Sequence, residues 1–305
     1  MAELALPFLA RSPWARRLLV PVIFTAALFF FLFATFPYDA LSQRIVSEAR
    51  AAGYDVTIGS LGHSGFLGLV ANDVRLKPIS ADAAGGALEL KLDKLTLKPE
   101  VLGLFLRRTA VAFNVEAYGG TAHGVARFSN DPKTPGLSAL QLTADTFDLK
   151  ELPPSLLAGL EVIGQIGMQA DVTSLQALEA SSGTLALNLK GGAIVKGMLM
   201  GFPLPKTTLG ELTGSLSIDK GVAKLEKVEL RGGDVEAEVE GTIRLKPLLM
   251  LSQAELKVRL KPKDAWLNAT PLLKGSIGFL GPKQGDAYNA TLSGPLSHLT
   301  PKVGR

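Results

Sequence analysis

The sequence predicts a mainly β protein: an N-terminal single transmembrane helix, then an antiparallel β-rich domain with a few short helices. Three observations predict it. Residues 18–38, LLVPVIFTAALFFFLFATFPY, form a run of 21 residues without a charge; at 1.5 Å per helical residue it reaches about 30 Å, the thickness of a bilayer's hydrocarbon core. Beyond residue 53 the apolar residues recur with period two, which sends them to one face of a strand. One phrase also returns four times: Val74-Arg75-Leu76-Lys77-Pro78, Leu95-Thr96-Leu97-Lys98-Pro99, Ile243-Arg244-Leu245-Lys246-Pro247 and Val258-Arg259-Leu260-Lys261-Pro262. Each is an alternation stopped by proline, which cannot donate to a ladder.

The apolar run sets the orientation. Arg11, Arg16 and Arg17 precede it with Glu3 as the only acid. The positive-inside rule therefore puts residues 1–17 in the cytoplasm and the large body across the membrane. Pro21 falls in the first helical turn, where a missing N–H costs little. A cleaved signal peptide is the rival reading. Its core is usually 7–15 residues and ends at a small-x-small site. Here the core is longer and its exit, Phe33-Ala34-Thr35-Phe36-Pro37-Tyr38, holds no Ala-x-Ala. The run is read as an uncleaved transmembrane anchor at 18–38.

Residues 39–53 read as a juxtamembrane helix. Leu41, Ile45 and Ala49 lie at i, i+4 and i+8, Asp39 caps the start and Gly53 ends it. Residues 54–305 form the β-rich domain. Val56 and Ile58 alternate, and Gly59, Gly62, Gly65 and Gly68 read as a turn-rich passage. These glycines match neither GxGxxG nor GxxxxGK[ST], so a phosphate loop is not expected. The four proline-stopped phrases read as strand ends whose lysines are solvated edge charges. Further alternations lie at 111–117, 140–144, 166–172, 185–189, 212–218, 228–230, 235–245, 254–260 and 288–292. Gly119-Gly120, Gly191-Gly192 and Gly232-Gly233 read as tight turns, as does Lys220-Gly221. The spacing implies about 13 strands. Two passages break it: Leu156, Leu160 and Ile163 stand at helical spacing behind Ser155, and residues 264–273 read as a short helix holding Trp266. A shallow division falls near Pro153.

Little in the sequence has the spacing of chemistry. The chain has no cysteine, which excludes disulfides and thiolate catalysis. Its net charge is +4 and aromatics are 7%, with no long basic run, so no nucleic-acid partner is expected. His63, His123 and His298 are far apart and match no metal or general-base motif. No GxSxG or SxxK occurs. Glu236, Glu238 and Glu240 share one strand face, a solvated outer face or a row for a cation or basic partner. No catalytic, cofactor-binding or metal residue is singled out, no cofactor is expected, and the chain is read as not an enzyme. The aliphatic sheet face remains. Either the sheet closes on itself as a sandwich or barrel, or it forms a curved open groove whose lining suits an acyl chain; the pattern fits both.

One order of features resembles a known family. A single span leaves through Phe36-Pro37, and a short helix ends at Gly53 before Tyr54-Asp55-Val56-Thr57-Ile58-Gly59. A glycine-broken passage runs to Phe66-Leu67-Gly68, then Asn72-Asp73-Val74-Arg75-Leu76. Later come Gly241-Thr242-Ile243-Arg244-Leu245 and Leu292-Ser293-Gly294-Pro295-Leu296. This resembles the type II secretion system protein N (GspN) family of the delta-proteobacterial type and, more distantly, AsmA-like envelope proteins. The resemblance implies an accessory inner-membrane component of a type II protein secretion system. Its domain would be periplasmic, and its partners the inner-membrane platform or the secretin. The AsmA-like side implies phospholipid binding or transfer along a greasy sheet face.

Overall fold

The computed structural model describes residues 24, 36–51, 53–65, 68–79, 89–100, 109–131, 136–157, 159–199, 202–247, 251–269, 271, 283–296 and 298–302. The expected anchor at 18–38 lies outside these residues except for Phe24 and residues 36–38, and the expected cytoplasmic segment at 1–17 lies wholly outside them. Among the described residues no helix is long and apolar enough to cross a membrane.

The protein is mainly β. Helix α1 (Tyr38–Ala51) leads into β1 (Tyr54–Ser64), β2 (Gly68–Pro78), β3 (Leu90–Pro99), β4 (Thr109–Ala117), β5 (Gly120–Phe128) and β6 (Leu137–Asp148). Two 3-10 turns, Leu149–Glu151 and Pro154–Leu157, precede β7 (Glu161–Thr173); a third, Leu178–Ala180, precedes β8 (Ser182–Lys196). A small hairpin, β9 (Met198–Leu199) and β10 (Phe202–Pro203), stands apart. The chain continues through β11 (Thr207–Asp219), β12 (Val222–Gly232), β13 (Val235–Arg244) and β14 (Gln253–Pro262). Helix α2 (Asp264–Ala269), β15 (Lys283–Gln284), β16 (Ala287–Pro295) and β17 (Thr300–Lys302) complete it.

Among the described residues fifteen strands make one open antiparallel sheet, in the order β1-β2-β3-β4-β5-β6-β7-β8-β11-β12-β13-β14-β16-β15, with β17 also on β16. Nearly every strand therefore pairs with its predecessor and successor in the chain. Strands that are neither neighbours nor next-but-one neighbours make no extensive contact among the described residues. Among the described residues no second sheet packs face to face on the first, so the sheet is open there and not a sandwich. Across its fourteen-strand path the sheet measures about 60 Å at a strand spacing of 4.8 Å.

Local chemistry explains the turns. Tyr118 (φ 50°) and Gly119 (φ 69°) join β4 to β5, and Lys220 (φ 46°) and Gly221 (φ 75°) join β11 to β12. Two successive positive φ values belong to the hairpin turn whose twist matches that of the strands. Gly53 ends α1 at φ 88°, the left-handed stop expected of it.

Several expectations change. The passage at Gly59 and Gly62 is strand, since β1 runs through both. Gly191-Gly192 is a bulge inside β8, which continues to Lys196; an added Cβ at Gly192 would lie 2.8 Å from Leu189 Cδ2. Three of the four proline phrases do end strands, β2, β3 and β14. The fourth ends earlier, at Arg244, with Leu245 tucked in at 8% exposure. Their lysines sit at the ends of interior strands and guard no edge. Pro153 divides nothing: β6 and β7 pair across it. The helical spacing at 156–163 gives only the Pro154–Leu157 turn, and Ile163 belongs to β7.

The two edges differ. β1 is an eleven-residue edge strand with α1 packed against it. The far edge, β16, is covered in pieces by β15 and β17, of two and three residues.

Candidate functional site: the apolar face of the sheet

Register converts the alternation into rows that cross the whole sheet. In one, Leu61, Ala71, Leu95, Val115, Ala122 and Ala144 are successive partners on β1 to β6. The row continues through Met168, Leu187, Gly214, Val228, Val239 and Val258 to Ala290 on β16. A second row starts at His63 and passes Leu69, Leu97, Phe113, Gly124 and Leu142 on its way to Leu292. A third runs from Pro99 through Val111, Ala126, Leu140 and Val172 to Ala254 and Gly294. From β2 to β16 none of the three holds a charged or amide side chain. A fourth, shorter row joins Phe147, Ile166, Leu189, Leu212, Leu230 and Ala237.

Rows two residues apart on a strand lie about 6.7 Å from one another, so four rows cover a band about 20 Å wide. The fourth row crosses only six strands and the third starts at β3, so the band measures roughly 900 Å². Monomeric soluble proteins rarely expose an apolar patch of more than a few hundred Å².

Among the described residues, two covers lie along one rim. Ala49 of α1 packs against Val56, Ala71 and Val74. Leu149, Leu152, Leu157 and Leu160, between β6 and β7, close over Val162 and Leu189. Elsewhere many of the large aliphatics are half-buried, while Val172 and Leu256 are buried at 8% each; most of the other buried positions are alanines, such as Ala122 at 7% and Ala144 at 8%. Phe113 marks one device that sequence reading missed. A Cβ at Gly124 would meet Gln141 O at 1.9 Å and Phe113 Cζ at 2.9 Å. The ring of Phe113 thus lies on the bare glycine of the next strand, covering backbone that no side chain there can cover.

The opposite face is polar, and its charges pair within the chain. Lys94 Nζ lies 2.8 Å from Glu116 Oε1, and Lys77 3.1 Å from Glu89. Lys227 and Arg231 flank Glu229 at 3.1 and 3.0 Å. Glu236, Glu238 and Glu240 do share a face, and β14 sets Lys261, Arg259 and Lys257 directly opposite them. Arg259 reaches Glu238 at 3.6 Å. The basic partner for that acidic row is thus the next strand. The alternation Lys257-Val258-Arg259-Leu260-Lys261 carried the signal, but only register reveals the match. Lys261 also bonds Asp286; that hydrogen bond first, and the attraction of opposite charges with it, raises the lysine's pKa and lowers the aspartate's.

The histidines are not brought together. His63 lies on β1, His123 lies on β5 with Nδ1 3.8 Å from Asp145 Oδ2, and His298 follows β16. Among the described residues no group of three or more acids and histidines could hold a metal ion. Every buried side-chain nitrogen and oxygen among them has a partner: Trp266 Nε1, for example, donates to Thr207 Oγ1 at 2.8 Å. No protein-family model, curated protein or solved structure matches the chain.

Proposed function

We propose that this chain is a membrane-anchored envelope protein that holds phospholipid acyl chains on the open apolar face of its sheet. One observation carries the reading: a band of roughly 900 Å², free of charge, runs across the sheet, and its covers among the described residues, α1 and residues 149–160, lie along one rim. A hydrocarbon chain suits such a surface because it brings no polar group that would lose its hydrogen bonds there. Each methylene withdrawn from water contributes about 0.8 kcal/mol. The continuity of the rows lets a chain shift along the face without crossing a polar residue. The uncleaved anchor at 18–38, an inner-membrane location and a periplasmic sheet domain belong to the same proposal, supported by the charge-free run and the arginines before it.

The family resemblance favours a second reading, an accessory component of a type II secretion system that acts through protein contacts. The same face would then receive the apolar surface of a partner, either the inner-membrane platform or the secretin.

Lipid counting separates the two. The full-length chain is purified in detergent beside Leu142→Glu, which keeps the anchor and places a charge in the middle of the face. Phospholipid is extracted from both and quantified by mass spectrometry. The proposal expects the native chain to retain more lipid per protein than the variant. Equal lipid in both overturns it, because anchor-bound lipid would then account for everything, and the search moves to protein partners.

A further inference from the structure

The polar face is not uniform, and the exception lies at its centre. Toward both ends of the sheet its charges are matched in pairs, Lys94 with Glu116 on one side and Arg259 with Glu238 on the other. Between them, on β5 to β12, lie two adjoining clefts of about 590 and 410 Å³ that share Gln169 and Ala186. Small residues make the floor. Gly167 has no side chain, and Asn188 Oδ1 lies 2.7 Å from where its Cβ would stand. Gln165, Gln169, Asn188, Thr143, Thr213 and Ser215 line the walls. Their side chains make no hydrogen bond to other described residues, although each can donate and accept. The charges at the clefts balance, with Asp145 and Asp171 against Lys190 and Lys227.

We infer that this double cleft binds an uncharged oligosaccharide. Balanced charge gives an ionic ligand no net attraction, whereas amides and hydroxyls left unpaired match a ligand that donates and accepts along its whole length. Spacing argues for sugar over peptide. The cleft runs across the strands, so its polar groups recur every 4.8 Å or so, wider than the about 3.4 Å residue repeat of an extended peptide and open to the longer repeat of a sugar ring. Six adjacent strands give the cleft a length of about 24 Å, which suits a short chain of sugars. This site stands on the opposite side of the sheet from the acyl face and does not depend on it.

The test uses the full-length chain in a detergent without a sugar headgroup, titrated calorimetrically with maltohexaose and with chitohexaose. Saturable binding of at least one is expected. Asn188→Ala combined with Gln169→Ala removes two partners from exposed positions and should weaken that binding about tenfold. Gly167→Val fills the floor with a residue suited to a strand and should abolish it, while both variants keep the native melting temperature. Binding of neither sugar overturns the inference, as does binding that ignores the substitutions. Tighter binding of a neutral Ser/Gly/Gln hexapeptide at the same residues overturns the choice of sugar.

Discussion

Leu142 and Thr143 are neighbours in β6, yet they face different surroundings. Leu142 belongs to a row that stays apolar or bare from β2 to β16, whereas Thr143 faces a cleft of amides and hydroxyls. The comparison teaches that the two faces are specified by different means. The apolar face depends on composition alone, since any aliphatic residue at the right parity extends it. The polar face depends on pairing, since residues such as Lys94 and Arg259 find their acids on the neighbouring strand through register. Damage to the first should therefore be severe and indifferent to neighbours, and damage to the second mild and specific to the pair.

The largest expected effect breaks the comparison at that adjacent pair. Leu142→Glu should cost about 3 kcal/mol, from lost apolar burial and a charge held among aliphatic side chains. Thr143→Glu should cost no more than about 0.5 kcal/mol, the usual cost at an exposed site. Chemical denaturation of the two variants measures the difference, and similar values would mean that the faces are not distinct. A smaller effect is expected from Gly124→Ala. Its new Cβ would meet a backbone oxygen at 1.9 Å, so β5 and β6 must part, at about 2 kcal/mol. Phe113→Ala in the same background should recover little of it, because the carbonyl of Gln141 is the harder obstacle.

The smallest effect concerns pH. Asp286 is held below its ordinary pKa and Lys261 above its own. The aspartate's contribution is complete above the ordinary carboxylate value and is lost as pH falls through the lowered one. The lysine's contribution is complete below the ordinary amine value and is lost as pH rises through the raised one. Asp286→Asn should therefore lower the melting temperature slightly at neutral pH and not at all at either extreme. A difference that persists in strong acid would show that the carboxylate acts through packing and not through charge. Both groups are exposed, so added salt should shrink the effect as well.

Much of the sheet was legible because alternation is a local signal. Val235, Val239 and Ile243 announced β13, and Leu185, Leu187 and Leu189 announced the first part of β8. The strand β5 was not legible. Its inward positions are Ala122, Gly124 and Ala126, too small to stand out against the background, and Gly124 is small because Phe113 and Gln141 leave it no room. Glycines misled twice, at Gly59 and at Gly191-Gly192, because a glycine that serves close approach looks the same in sequence as one that serves a turn. The candidate site was half legible. Its aliphatic lining could be named residue by residue, but whether the face was open depended on what lies above it, and alternation carries no information on that. The amide cleft was not legible at all: Gln165, Gln169, Asn188 and Thr213 come from three separate strands, and only the pairing of β7, β8 and β11 puts them side by side.

The order of the sheet has one more consequence. Because each strand pairs with the strands before and after it in the chain, a hairpin is a removable unit. Taking out or adding two consecutive strands returns the chain to the same rim, with the same side facing the same way. The span changes by about 10 Å each time, as graduations are added to a ruler. Coupling in such a ladder is close to one-dimensional, so each hairpin leans mainly on its two neighbours. Reach, in this architecture, is a quantity that gene duplication can adjust without redesigning a core.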